Sequence, residues 1–223
     1  MCGNCGEATI GRNGTHGLLC CKGESTRGHN AIRDELHSIA TPIDRNAETE
    51  PEGLIASQPR LRPADVLTGA FHNGRLAAVD VGVISPSAAG AGHDCVVTMH
   101  ERKCARMERY KRELEASGAE YHPFAVSCWG RLHPSASAML LSAAKRIARR
   151  QGTNSERVTL RRFRARVAAL VWRRAARMAL RCLPRPSDDE DDDAHAAEQL
   201  DPHSSARAGS PASADLPALH GAH

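Results

Sequence analysis

The sequence predicts an α/β fold in which a small mixed sheet is flanked by helices. Three observations carry that expectation. Asn73-Gly74, a dipeptide suited to the left-handed backbone of a tight turn, stands between two short apolar runs at hairpin length. The second run, Leu76 to Ile84, is apolar enough for a central strand covered on both faces. A charged segment, Cys95 to Ser117, reads as a long helix and separates that run from a further strand. The resulting order is helix, several strands, helix, strand, helix, which suits a sheet with helices packed on it.

The elements follow in chain order. Residues 2–21 form a Gly-rich Cys/His segment. A helix is expected from Arg27 to Ile39, where Ala31, Ile32, Leu36 and Ile39 recur at helical spacing. Glu50-Pro51-Glu52-Gly53-Leu54-Ile55 reads as a turn entering a short strand, and Val66-Leu67 as part of a second. Leu76 to Ile84 is the third, followed by a loop of small residues from Ser85 to His93. Glu120 to Trp129 is a strand around Phe124-Ala125-Val126. His133-Pro134 opens a helix running through Arg150. Thr153-Asn154-Ser155 caps a last helix to about Cys182, with Leu160, Phe163, Val167, Val171, Ala175 and Met178 along one face. Residues 187–223 are acidic, then rich in Ser, Ala, Pro and His, and are expected to be disordered. The chain thus divides into a Cys/His segment at 1–29, an α/β domain at 30–150, a basic helix at 151–185 and a tail at 186–223.

Composition narrows the function. Aromatic residues are 3% of the 223, so the core must be small and aliphatic. The net charge of +4 hides a strong segregation. From Lys145 to Arg185 many arginines accompany a single acid, Glu156, and Asp188-Asp189-Glu190-Asp191-Asp192-Asp193 follows. A basic helical region points to a polyanion, most often nucleic acid. The candidates for phosphate contact are Arg149, Arg150, Arg161, Arg162, Arg164 and Arg166, with Arg173, Arg174, Arg177 and Arg181 further along. No stretch is long and apolar enough to span a membrane. Met1-Cys2-Gly3-Asn4-Cys5-Gly6 lacks a basic region followed by an apolar one and does not read as a secretory signal. Four of the eight cysteines fall in the first 21 residues beside a histidine, a pattern of metal ligation rather than of disulfides.

Two constellations carry chemistry. Cys2-x2-Cys5 with His16-x3-Cys20 offers four ligands for a structural Zn²⁺, Cys21 being the alternative to Cys20 and His29 a further candidate. Asp65 and Asp80 lie at or beside the ends of strands that an Asn-Gly turn would pair. Two converging carboxylates suit a hard divalent cation, Mg²⁺ or Mn²⁺, and a lysine beside them stabilises charge on a phosphate under attack. Lys103 is that lysine if the Cys95–Ser117 helix packs on the third strand, with Lys111 the runner-up. Glu35, Glu50 and Glu52 are weaker candidates for a further carboxylate. Trp129 is expected to pack under the sheet, and Arg131 or His133 could touch DNA.

Together these residues resemble a known family. Cys2-x2-Cys5, His16-Gly17-Leu18-Leu19-Cys20, the run Arg27 to Asp34, Arg62-Pro63-Ala64-Asp65, Ala78-Val79-Asp80-Val81, Arg102-Lys103, and Tyr121-x-Pro123 through to Trp129-Gly130-Arg131-x-His133-Pro134 occur in its order. The family is the zinc knuckle plus restriction-endonuclease-like C-terminal region of non-LTR retrotransposon polyproteins. The resemblance spans roughly residues 2–182 and implies a PD-(D/E)xK nuclease core. Its proline-aspartate motif falls on Pro63-Ala64-Asp65, with one alanine inserted, and its second acid on Asp80. The lysine usual two residues later is replaced by Gly82, and the resemblance puts it on the next helix at Lys103. The chain begins at the knuckle without the polymerase Tyr-x-Asp-Asp motif, so it resembles a detached endonuclease end of such a polyprotein.

The resemblance implies a metal-dependent DNA endonuclease that acts in the nucleus. It would nick target DNA to prime reverse transcription, with DNA and element RNA as partners and no membrane. A non-catalytic nucleic-acid-binding remnant is the competing expectation. A zinc-stapled interaction protein that does not bind DNA is the third.

Overall fold

In the computed structural model, residues 1–6, 16–20 and 22–183 are described. The 186–223 tail and Cys21 lie outside the described residues. The order is α1 (Gly17–Cys20), α2 (Lys22–Ala40), β1 (Glu48–Thr49), β2 (Val66–His72), β3 (Arg75–Ile84) and α3 (Cys95–Met107). A 3-10 turn (Glu108–Tyr110), α4 (Lys111–Ala116), β4 (Ala119–Ser127), α5 (Pro134–Arg150) and α6 (Glu156–Cys182) complete it. The four strands form one mixed sheet in the order β1-β2-β3-β4. β1 and β2 pair antiparallel, as do β2 and β3, whereas β4 runs parallel to β3 from Leu76↔Ala119 to Ile84↔Ser127.

The β2–β3 hairpin closes on Asn73 (φ 47°) and Gly74 (φ 87°), the two positive φ angles that an Asn-Gly turn supplies at low cost. Residues of β3 alternate between two covered faces. Ala77, Val79 and Val81 meet Ile32, Leu36, Leu140, Phe163 and Val167 from α2, α5 and α6. Ala78 meets Met107, Tyr110 and Leu114 across α3, the 3-10 turn and α4. Phe124 at the centre is fully buried, so Phe124→Ala would cost about 3–5 kcal/mol.

Three expectations need correction. The first short strand is Glu48–Thr49, not the segment entering Ile55, because Pro51 follows at once and Glu50 takes a positive φ of 51°. The single helix from Cys95 to Ser117 is broken at Glu108–Tyr110, where the chain tightens to a 3-10 turn and buries Tyr110. Trp129 is not under the sheet but 48% exposed. Helix α2 also runs unbroken through residues 29 and 30, and Met1–Pro184 forms one unit, so the Cys/His segment and the sheet share one body. No helix among the described residues is long and apolar enough to cross a membrane.

Candidate active site and metal centre

Asp80 is buried on the central strand β3, one residue past the ladder pair Val66↔Val79. Asp65 stands just before β2 on the neighbouring chain segment, where its Oδ2 accepts from Val81 N at 2.6 Å. Its Oδ1 accepts from His29 Nε2 on α2 at 2.9 Å, so that ring nitrogen carries its proton. Three donors converge on Asp80: Lys103 Nζ at 2.6 Å on Oδ1, and Arg106 Nη2 at 2.8 Å and Tyr121 OH at 2.5 Å on Oδ2. Lys103 and Arg106 lie three apart on α3 and therefore share a face. Gly82 makes the approach possible: a Cβ there would lie 2.6 Å from Lys103 Cε and 3.0 Å from Met99 Cγ. The centre opens into a cleft of about 460 Å³ lined by His29, Asp80, Gly82, Met99, Lys103 and Arg106.

Electrostatics follow from this packing. Burial pushes the Asp65 carboxyl up, but the His29 ring, the Val81 amide and the Lys103 ammonium outweigh it and hold it below the ordinary carboxylate range. Burial, reinforced by the Asp80 charge, pushes the Tyr121 phenol far up, so it stays a donor. Asp80, Lys103 and Arg106 line this cleft with His29, while Asp65 stands behind it, held by His29 and the Val81 amide.

No protein-family model, curated protein or solved structure matches the chain.

The other acids expected near this centre are occupied elsewhere. Glu35 pairs with Arg166 at 2.7 Å, Glu50 with Arg33 and Arg62, and Glu52 with Arg62 at 2.8 Å. Lys111 sits beyond the 3-10 turn, 4.0 Å from Glu108. Sequence reasoning misses His29, Arg106 and Tyr121 at the acids. Only Tyr121 leaves a trace in the sequence, two residues before Pro123 on a strand whose side chains alternate. Arg131 braces α3: its guanidinium holds Asp94, whose side chain caps Val96 and Val97 N–H at 3.2 Å. His133 caps α5 through Ser135 N and stacks on His100 with centroids 3.9 Å apart.

The N-terminal cluster has a geometry that could hold a metal ion. The ligand atoms of Cys2, Cys5, His16 and Cys20 all lie within 4.8 Å of one another, the set a tetrahedral zinc takes. Cys5 Sγ is 3.3 Å from His16 Nε2, and Asn4 Nδ2 donates to Cys20 Sγ at 3.3 Å. Enclosure raises the Cys2 thiol, but the backbone amides of Cys5 and Asn4 outweigh it and bring it down to about 7, toward the thiolate a metal needs. Gly3 N donates to Cys182 O at 2.9 Å, and Cys2 packs with Met178 and Cys182, so the cluster is seated on the end of α6. His29 is not part of it.

The arginine helices divide into two populations. Arg149, Arg161, Arg162 and Arg164 are exposed, with no ion-pair or hydrogen-bond partner among the described residues. Arg150 instead donates to Pro42 O and Ile43 O, and Arg166 to Glu35. Arg174 is buried: it crosses α2 where Gly28 has no side chain and reaches Ser25 Oγ at 3.0 Å. Arg181 pairs with buried Glu24 at 2.9 Å. The expected phosphate-binding face therefore loses Arg150, Arg166, Arg174 and Arg181 to internal contacts. Trp129 and Trp172, 48% and 52% exposed, lie beside it with ring centroids 5.5 Å apart.

Proposed function

We propose that the chain is a metal-dependent DNA endonuclease module, of the kind that nicks target DNA in the nucleus so that reverse transcription of an element RNA can be primed. The observation that carries the reading is Lys103, laid over Gly82 onto Asp80 beside Asp65. It is the arrangement in which a lysine lost from β3 is supplied by α3.

The donor set suits a hard divalent ion, which keeps several waters when one or two carboxylates hold it. Asp65 and Asp80 would hold Mg²⁺ or Mn²⁺, and Arg106, 61% exposed, can leave Asp80 Oδ2 to make room. The ion would supply Lewis acidity and an activated water. The chain's own groups do the rest. Tyr121 and His29 orient the two carboxylates, Lys103 offsets the charge that grows on the phosphoryl oxygens, and the exposed arginines hold the DNA backbone.

A specific observation favours the remnant reading instead: both oxygens of Asp80 are already engaged by Lys103, Arg106 and Tyr121. Nicking of supercoiled plasmid with Mg²⁺ or Mn²⁺ separates the two. The parent should nick, and Asp65→Asn, Asp80→Asn and Lys103→Ala should lose the activity while still binding DNA. A parent that binds DNA and never nicks it, with either ion, leaves only the binding function.

A further inference from the structure

We propose that His72, Glu120 and His122 form a second metal site, for a borderline first-row divalent cation such as Zn²⁺, separate from both centres above. His72 ends β2, while Glu120 and His122 stand two apart on β4 and so project to the same face. Strand β3 lies between them, with Ala77 beside Glu120 and Val79 beside His122. Over those short side chains the imidazoles close to 4.5 Å between centroids.

The donor atoms already converge. His72 Nε2 is 3.3 Å from one Glu120 oxygen and His122 Nε2 is 3.8 Å from the other, and one atom from each residue lies within 4.8 Å of the rest. A tetrahedral ion with bonds of about 2.0–2.2 Å sets its ligand atoms roughly 3.3–3.6 Å apart, so little movement is needed. His122 Nε2 supplies the independent sign. It is buried and has no hydrogen-bond partner, which folded proteins rarely tolerate. Its 3.8 Å approach to Glu120 is too long for a hydrogen bond. A bound cation would satisfy it.

The protonation state also suits ligation. Burial, then the neighbouring His72 ring, holds His122 below the ordinary imidazole value, so the ring presents a lone pair at neutral pH. Two imidazoles and one carboxylate are a set that zinc takes with a fourth position left for water. Glu120 is half-exposed, which gives that water an entry path. The site joins β2 to β4 across the central strand, so occupancy would clamp the sheet.

Cobalt titration of the full chain under reducing conditions tests this. Co²⁺ in the Cys/His cluster gives intense thiolate charge-transfer bands, and Co²⁺ on imidazole and carboxylate gives none. About one equivalent without thiolate bands is expected, displaced by Zn²⁺ and retained in excess Mg²⁺. His72→Gln and His122→Gln should each lose that equivalent and leave the thiolate bands intact. A parent that binds only thiolate-ligated cobalt overturns the proposal. So does a non-thiolate equivalent that survives in the double variant, because the ion then sits elsewhere. The unmutated protein gives a check free of folding effects: Zn²⁺ must shift the ring ¹⁵N resonances of two histidines besides any zinc-bound His16. Rings that do not respond also overturn it.

Discussion

Gly82 and Lys103 divide one space between them: a Cβ on Gly82 would stand 2.6 Å from Lys103 Cε. Position 82 lies two residues past Asp80 and projects to the same face of β3. A lysine there and a lysine from α3 are alternative ways to bring an ammonium to one carboxylate. Gly82→Ala should fold, since its backbone is unstrained and the atoms it meets are flexible. It should displace Lys103 and cut nicking by about 10²–10³, the usual cost of one preorganised charge partner. The swap Gly82→Lys with Lys103→Ala should recover part of that loss in the plasmid assay. A swap as inactive as Lys103→Ala alone would separate Gly82 from the chemistry.

Asp65 should govern part of the acid limb of stability. Burial opposes its charge, but His29, the Val81 amide and Lys103 hold its folded pKa below the unfolded value of about 3.9. A depressed carboxyl stabilises the fold above its unfolded pKa, and that contribution fades as pH falls through the folded value. Asp65→Asn should therefore unfold with a shallower pH dependence below about pH 4, followed by circular dichroism. Identical acid limbs for parent and variant would show that the His29 hydrogen bond contributes nothing.

Chelation should loosen the end of α6. Protein purified without chelator should carry about one zinc ligated by Cys2, Cys5, His16 and Cys20. Cys20→Ser should lose it and lower Tm, because Cys2 packs on Met178 and Cys182. Metal analysis decides the point: if Cys20→Ser keeps its thiolate-bound zinc, Cys21 is the ligand.

The two populations of arginine should respond differently to mutation. Arg161→Ala, Arg162→Ala and Arg164→Ala together should flatten the slope of log K against log salt by about 0.9 for each phosphate they no longer neutralise. Arg166→Ala should leave the slope alone and cost about 1 kcal/mol of stability by stranding Glu35, whose carboxyl burial already pushes up. A slope that depends on Arg166 and not on the other three would reverse this assignment.

Trp129 and Trp172 are the protein's only two tryptophans, so its indole fluorescence reports on this one exposed pair. Single-stranded oligonucleotide should quench it by stacking, worth about 1–3 kcal/mol per base. Trp172→Ala should weaken single-strand binding more than duplex binding. Equal losses on both would make the pair a packing feature.

Local chemistry carried the strand and helix order into the sequence. Asn73-Gly74 marks the hairpin, the unbroken apolar run around Asp80 marks a strand covered on both faces, and Cys2-x2-Cys5 with His16-x3-Cys20 marks the ligand cluster. Each is a short-range signal, because turn geometry, two-sided burial and ligand spacing all act within a few residues. What meets Asp80 was decided by tertiary packing. The 3-10 turn at Glu108–Tyr110 separates Lys111 from the acids and leaves Lys103 over Gly82, which no periodicity encodes. The same holds for His29, which reaches Asp65 only because α2 packs against the sheet, and for Arg166 and Arg174, which the composition counts as free charge. A side chain's partner across the fold depends on how whole helices cross and where they break. Those crossings follow from the packing of all the apolar faces at once, which is why they exist only in the assembled tertiary structure.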